Sequence, residues 1–293
     1  MLVVGITSRA LFNLDKSHEI FVNEGLEKYR DYQISKENDH LEPGQAFHLV
    51  KKLLQLNKKI EGERSVEVIL LSSNSADTGL RIFNSIEYHK LDIRKAAFCG
   101  GESPHKYAKP FGAHLFLSTD IADCQLALES GVAAARIISP NITRKEDNLL
   151  KVAFDGDAVI FSEESQEIFE KQGLEAFDNN EKNLAKETLP GGPFKPFLSE
   201  LHKLQGKFLK KGDCPIHIAL VTARSAPSHE RVILTLREWN IRIDECLFLG
   251  GLPKVNFLKA YHADIFFDDQ KENCDLASEE VPTGHVVRLK HNT

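Results

Sequence analysis

Residues 19–27 read E-I-F-V-N-E-G-L-E, and residues 167–175 read E-I-F-E-K-Q-G-L-E. Glu19 stands opposite Glu167, an offset of 148 residues. The same offset sets V-G-I-T-S-R-A-L-F, from Val4, against V-A-F-D-G-D-A-V-I, from Val152. Farther along the offset becomes 150. V-I-L-L-S-S-N-S-A from Val68 faces I-A-L-V-T-A-R-S-A from Ile218, F-C-G-G from Phe98 faces F-L-G-G from Phe248, and K-P-F-G-A-H-L-F-L from Lys109 faces K-A-Y-H-A-D-I-F-F from Lys259. Chance supplies any one such match. Several in one order, with a drift of two residues, describe one fold written twice.

Each copy alternates short apolar runs with helical spacing. Val152–Phe154, Ile218–Val221, Cys246–Leu249 and Ile265–Phe267 suit buried strands in the second half, as Val3–Ile6, Val68–Leu71, Ala96–Cys99 and Leu115–Leu117 do in the first. Val232, Ile233, Leu236 and Trp239 place a helix within Ser228–Asn240. Strands alternating with helices predict parallel sheets covered on both faces. The expected class is α/β, with tandem duplicated Rossmann-like parallel-sheet domains over residues 1–148 and 149–293. The polar stretch Ser139–Asn148 is their natural linker.

Bulk properties exclude several functions. The 293 residues carry a net charge of −6 with no Lys/Arg block, which argues against nucleic-acid binding. The five cysteines are odd in number and form no C-x-x-C, so a disulfide framework or zinc site is not expected. The start, M-L-V-V-G-I-T, is not that of a signal peptide, and no apolar run approaches a membrane span. A cytoplasmic protein without membrane or nucleic-acid partners is expected.

Ligands of parallel α/β sheets sit at the carboxyl ends of the strands. In the second half those ends carry Asp155-Gly156-Asp157, then Thr222-Ala223-Arg224, then Gly250-Gly251-Leu252-Pro253-Lys254, then Asp268-Asp269. One crevice would collect carboxylates, a hydroxyl and a lysine. That inventory suits phosphoryl transfer, where positioning and charge neutralisation supply most of the catalysis. Crowded carboxylates raise one another's pKa, and a hard cation such as Mg²⁺ relieves them.

The set resembles the haloacid dehalogenase superfamily of phosphatases: D-x-D-x-V at Asp155–Val159, Thr222 at a strand end, Lys254 and the Asp268-Asp269 pair match its four motifs in chain order. V-A-F-D-G-D-A-V, L-V-T-A-R-S-A, F-F-D-D-Q and S-R-A-L-F, with P-F-K-P-F-L and G-G-E-S-P, are similar to the cytosolic type-I 5′-nucleotidases over nearly the whole chain. The resemblance implies a haloacid dehalogenase-like catalytic second domain with a small cap inserted at about residues 163–212, and hydrolysis of nucleoside monophosphates such as AMP with Mg²⁺. By motif, Asp155 is the nucleophile, Asp157 the general acid and base, Thr222 a phosphate-binding hydroxyl and Lys254 the neutralising cation. Asp155, Asp157 (through its carbonyl), Asp268 and Asp269 are the metal set, with Asp268 favoured over Asp269 as the direct ligand. Arg224 joins the substrate-binding candidates.

Each residue also has a plainer reading. A lone D-x-D is commonly a solvated turn. Asp268-Asp269 could cap a helix, Thr222 could be an ordinary strand-end hydroxyl, and Pro253-Lys254 could simply open a helix. Phe47 and Phe194, near matching points of the two halves, read as core; so, by a small margin, does Phe12, whose position after a strand would otherwise let it stack on a base.

The first half has lost the chemistry. Thr7 and Arg9 stand opposite Asp155 and Asp157, Ser72 opposite Thr222, Pro104 opposite Lys254, and Ser118-Thr119 opposite the late aspartates. This degenerate domain is either a scaffold or a nucleotide-binding surface lined by Ser8, Arg9, Asn74 and Ser103. A nucleotide effector and a homo-oligomer are left open. The competing functions are phosphatase action on another small phosphate ester and nucleotide sensing without turnover.

Overall fold

The computed structural model describes residues 1–59, 62–138, 148–210 and 212–289. The chain divides into two compact units, Met1–Ile137 and Ile138–Thr293. The linker stretch Ser139–Asn148 lies, except for its last residue, outside the described residues.

The first unit runs β1 (Leu2–Ile6), α1 (Ser8–Leu11), α2 (Asp15–Glu24), α3 (Leu26–Ser35), α4 (Phe47–Gln55), β2 (Val66–Ser72), α5 (Leu80–Tyr88), β3 (Lys95–Phe98), β4 (Leu115–Ser118), α6 (Ile121–Glu129) and β5 (Ala133–Ile138). Its strands lie in the order β3-β2-β1-β4-β5, all parallel. β1, β2 and β4 are buried along their whole length, because helices cover a parallel sheet from both sides.

The second unit runs β6 (Leu150–Phe154), α7 (Glu164–Asn183), α8 (Lys195–Leu209), β7 (Ile216–Thr222), α9 (His229–Glu238), β8 (Glu245–Phe248), α10 (Val255–Tyr261), β9 (Ile265–Asp268), α11 (Lys271–Ser278) and β10 (Thr283–His285). Its order, β10-β9-β6-β7-β8, is again parallel and is the first unit's order read from the other edge. Every strand predicted from sequence is present; β5 and β10 are additional.

The units share local devices as well as topology. Gly25 (φ 88°, ψ −178°) separates α2 from α3, and Gly173 (φ 82°, ψ −178°) breaks α7 at the matching point. A side chain would be strained at that φ. Gly44 and Gly192 each lie against the chain that leaves the first strand, where an added Cβ would come within 2.7 Å of Phe12 and 2.2 Å of Phe161 backbone atoms. The chain therefore passes closely enough to bridge Phe12 to Pro43 and Phe161 to Gly191.

One expectation needs correction. The resemblance implies a cap at about residues 163–212, but α8, which falls within those bounds, packs on the sheet. Its Phe197, Leu198, Leu201, Leu204 and Phe208 are buried, and Phe197 packs its ring against Phe154 and Phe267 of the sheet. The helix covers the sheet as α4 does in the first unit, so only the segment around α7 remains available as an insert.

Candidate active site

β6 delivers Asp155 to the carboxyl edge of the sheet, where its N–H donates to the Phe267 carbonyl (2.8 Å). The chain then makes a single π-type turn over Gly156–Ile160, closed by Phe161 N–H to the Gly156 carbonyl (2.9 Å). Ala158 adopts φ 59° within it, a conformation that costs a non-glycine residue about 1–3 kcal/mol and clusters at functional sites. The corresponding turn of the first unit is an ordinary α turn, with Leu11 N–H donating to Thr7 and Phe12 N–H to Ser8. Asp157, within the π-turn, is buried, and its charge is felt at Asp155.

Four of the predicted residues converge. Lys254 Nζ lies 2.7 Å from Asp155 Oδ1 and 2.6 Å from Asp268 Oδ2. Asp155, Asp268 and Asp269 each present a carboxylate oxygen, and these oxygens all fall within 4.8 Å of one another. Thr222, buried at the end of β7, accepts from the Arg224 N–H through Oγ1 (3.2 Å). Lys254 is also the N-cap residue of α10, so the plainer reading is true of its backbone while its side chain serves the cluster.

The electrostatics follow from counting charges. Three buried carboxylates face one ammonium. Burial pushes the Asp155 carboxyl up to about 7, opposed by Lys254 and reinforced by Asp268 and Asp157. Burial and then the charge of Asp155 push Asp269 up to about 6. Burial also raises Asp268. Burial works against the charge on Lys254, but Asp155 and Asp268 outweigh it and hold the lysine above its ordinary range.

Residues missed in the sequence complete the surroundings. Asn273 and the Gln270 N–H donate to Asp268. Arg288 donates to Asp269 Oδ2 and to Glu170 (2.8 Å). Arg224, expected to meet substrate, is instead buried in a charge network. Its Nε and Nη2 hold the two oxygens of Asp157 at 2.8 and 2.6 Å, and its Nη1 donates to Glu181. Glu181 also accepts from Arg231 Nη1 (2.9 Å) and Ser165 Oγ (2.9 Å).

A family model described as 5′-nucleotidase matches residues 1–293. The chain belongs to the 5′-nucleotidase family. A human relative, cytosolic 5′-nucleotidase 1B, is 38% identical over 278 residues, which cover 92% of this chain and 46% of the relative. The chain thus spans about half the length of that relative. A crystal structure of histidinol dehydrogenase from Elizabethkingia anophelis aligns over 92% of this chain and 72% of its own at 10% identity and a TM-score of 0.23, too slight a likeness to bear on fold or function.

In this 5′-nucleotidase family member the remaining candidates lie in the first unit. Phe12 must be removed from the binding set: it is fully buried, packed against Phe47 and His89, and offers no face to a base. Ser8 is buried with its hydroxyl on Ser72 Oγ (2.9 Å). Ser103 bonds Asp123 and His105. Asn74 accepts from Tyr29 OH (2.9 Å) and leaves its buried Nδ2 without a partner. Arg9 is exposed, and among the described residues it forms no ion pair with Asp15 or any other carboxylate. All five cysteines are free, and no described helix is long and apolar enough to cross a membrane.

Proposed function

We propose that this chain hydrolyses nucleoside 5′-monophosphates, of the AMP type, to nucleoside and phosphate at the strand ends of its second unit. The observation that carries the proposal is the convergence of Asp155, Asp268, Asp269 and Lys254 in a chain of the 5′-nucleotidase family. The shared strand order and matched glycines support reading the two units as duplicates, the second a haloacid dehalogenase-like catalytic domain with an insert around α7, the first a degenerate copy.

In this mechanism an Asp155 carboxylate oxygen attacks phosphorus and the bond to the 5′ oxygen breaks. Asp157 gives its proton to that leaving oxygen. Water then attacks the aspartyl-phosphate, Asp157 takes the water's proton, and phosphate departs with Asp155 restored. Lys254 holds Asp155 Oδ1, which leaves Oδ2 to attack. Thr222 Oγ1 already accepts a hydrogen bond, so its proton is available to a phosphoryl oxygen.

Three buried carboxylates against two cations, Lys254 and Arg288, leave an excess of negative charge, and an all-oxygen donor set suits Mg²⁺. Asp155, the Asp157 carbonyl and one acid of the late pair would hold it. Both oxygens of Asp268 accept hydrogen bonds, whereas Asp269 gives only Oδ2, to Arg288. That pattern favours Asp269 as the direct ligand, the reverse of the sequence expectation. When bound, the ion neutralises charge on the phosphoryl group.

Phosphate release from AMP tests the proposal. The parent should release phosphate, lose activity in EDTA and regain it with Mg²⁺, while Asp155→Asn should bind AMP without turning it over. Binding without release by the parent would instead make the protein a sensor. Turnover by Asp155→Asn within about tenfold of the parent would remove the nucleophile assignment.

A further inference from the structure

Glu181 is fully buried near the end of α7, and the mechanism above does not use it. Its carboxylate joins three elements: Ser165 of its own helix, Arg231 of α9 and Arg224 after β7. Arg224 in turn grips both oxygens of Asp157. Phe177 lies 5.1 Å beneath the guanidinium. Arg224 has only 2% of its side chain exposed, so water cannot replace a lost partner.

The first unit supplies an internal control. Gln33 occupies the position of Glu181, and Arg81 that of Arg231. Arg81 Nη1 donates to Gln33 Oε1 (3.0 Å), and Arg81 Nε donates to the Asp39 carbonyl as Arg231 Nε does to Glu187 (2.9 Å each). Ser85 and Thr235 receive the N–H of Leu41 and Leu189 alike (2.9 Å each). The tie between these helices is therefore common scaffold and works with a neutral amide. What differs is the charge. Where the second unit has Asp157, Arg224 and Glu181, the first has Arg9, Asn74 and Gln33. The Glu181 carboxylate accompanies the acid, not the fold.

We propose that Glu181 is a positioning residue that acts through Arg224 to orient Asp157. This rests on Asp157 being the proton donor and acceptor. With Glu181 in place, the guanidinium keeps a carboxylate partner while Asp157 gives and takes its proton. Without it, one arm of a buried guanidinium is orphaned and Asp157 loses its fixed direction.

The test is Glu181→Gln, the residue the first unit already carries at this position. The readout is kcat/KM, which covers the steps up to formation of the aspartyl-phosphate. AMP needs its leaving oxygen protonated; p-nitrophenyl phosphate, with a stable leaving anion, does not. Glu181→Gln should lower kcat/KM for AMP by about 10- to 100-fold and change that for p-nitrophenyl phosphate by less than about threefold. Asp157→Asn should show the same selectivity more strongly, and adding Glu181→Gln to it should cost nothing further. If Asp157→Asn is not selective, the acid assignment fails and takes this proposal with it. If Asp157→Asn is selective but Glu181→Gln affects both substrates equally or neither, Glu181 is structural and only this proposal falls. Should Glu181→Gln not fold, Glu181→Asp, which keeps the charge on a shorter arm, carries the same comparison.

Discussion

Lys254→Met is the perturbation most directly priced by the geometry. The ammonium sits 2.7 Å from Asp155 and 2.6 Å from Asp268, with 6% of its side chain exposed. Methionine fills similar space without charge. Breaking a buried pair by removing one partner costs about 3–5 kcal/mol, because the remaining charge is uncompensated. For a unit of this size each kcal/mol moves Tm by about 2–4 °C, so the metal-free variant should melt about 6–20 °C below the parent. Mg²⁺ should recover more of that in the variant than in the parent, since the ion is then the only cation facing Asp155 and Asp268, Arg288 reaching only Asp269 of the three. Activity on AMP should fall by roughly 10²–10³, as for loss of one preorganised electrostatic contact. Differential scanning fluorimetry with EDTA and with Mg²⁺, alongside phosphate release, measures all three. A Tm within about 2 °C of the parent together with near-parental activity would refute the buried-cluster account and leave Lys254 as an ordinary cap residue of α10.

Three further outcomes are expected. Asp269→Ala should raise the Mg²⁺ concentration for half-maximal activity more than Asp268→Ala does, while Asp268→Ala should lower metal-free stability less than Lys254→Met; the opposite order in the Mg²⁺ titration restores Asp268 as the direct ligand. Metal-free stability should fall as pH rises from about 4 through 7, because burial lifts Asp155 and Asp269 to about 7 and about 6 in the folded state, above the ordinary aspartate range, so the folded state binds the extra protons. Mg²⁺-induced stabilisation should grow over the same window as those protons leave, and a Mg²⁺ effect independent of pH between 5 and 8 would contradict the cluster. Arg9→Ala should leave Tm within about 2 °C of the parent, as expected at an exposed position, and should raise KM or blunt the response to an added nucleotide; if both are unmoved, the first unit is a scaffold.

The strands were legible because buried parallel strands are short apolar runs, and the acids were legible because they follow those runs directly. β5 and β10 were not, since A-A-A-R-I-I is half alanine and T-G-H has no apolar signature. The narrow preference for Phe12 as core holds for a reason the sequence did not carry: the chain doubles back there against Gly44 and buries the ring. Position between motifs points α8 to a cap, although its apolar face is that of a sheet-covering helix. Arg288 and Asn273 carried no signal of their own, because each reaches the site through contacts with Asp268 or Asp269 made in three dimensions.

Glu181 is the instructive omission. A glutamate within E-K-N on a charged helix reads as a solvated face, and single-residue pattern cannot distinguish it from Glu175 or Glu187. The repeat can. Carried past the motifs to the helices, the offsets of 148 and 150 pair Glu181 with Gln33 and Arg231 with Arg81, and the structure pairs their hydrogen bonds in the same way. Positions where the two units agree in chemistry, such as Arg81 and Arg231, make the same hydrogen bonds in each. Positions where the units agree in shape but differ in charge, such as Gln33 and Glu181, mark what the second unit adds to the common hydrogen-bond pattern. Because glutamine and glutamate have nearly the same volume, packing gives no reason for that difference, and the charge finds its purpose in Arg224 and the acid it holds.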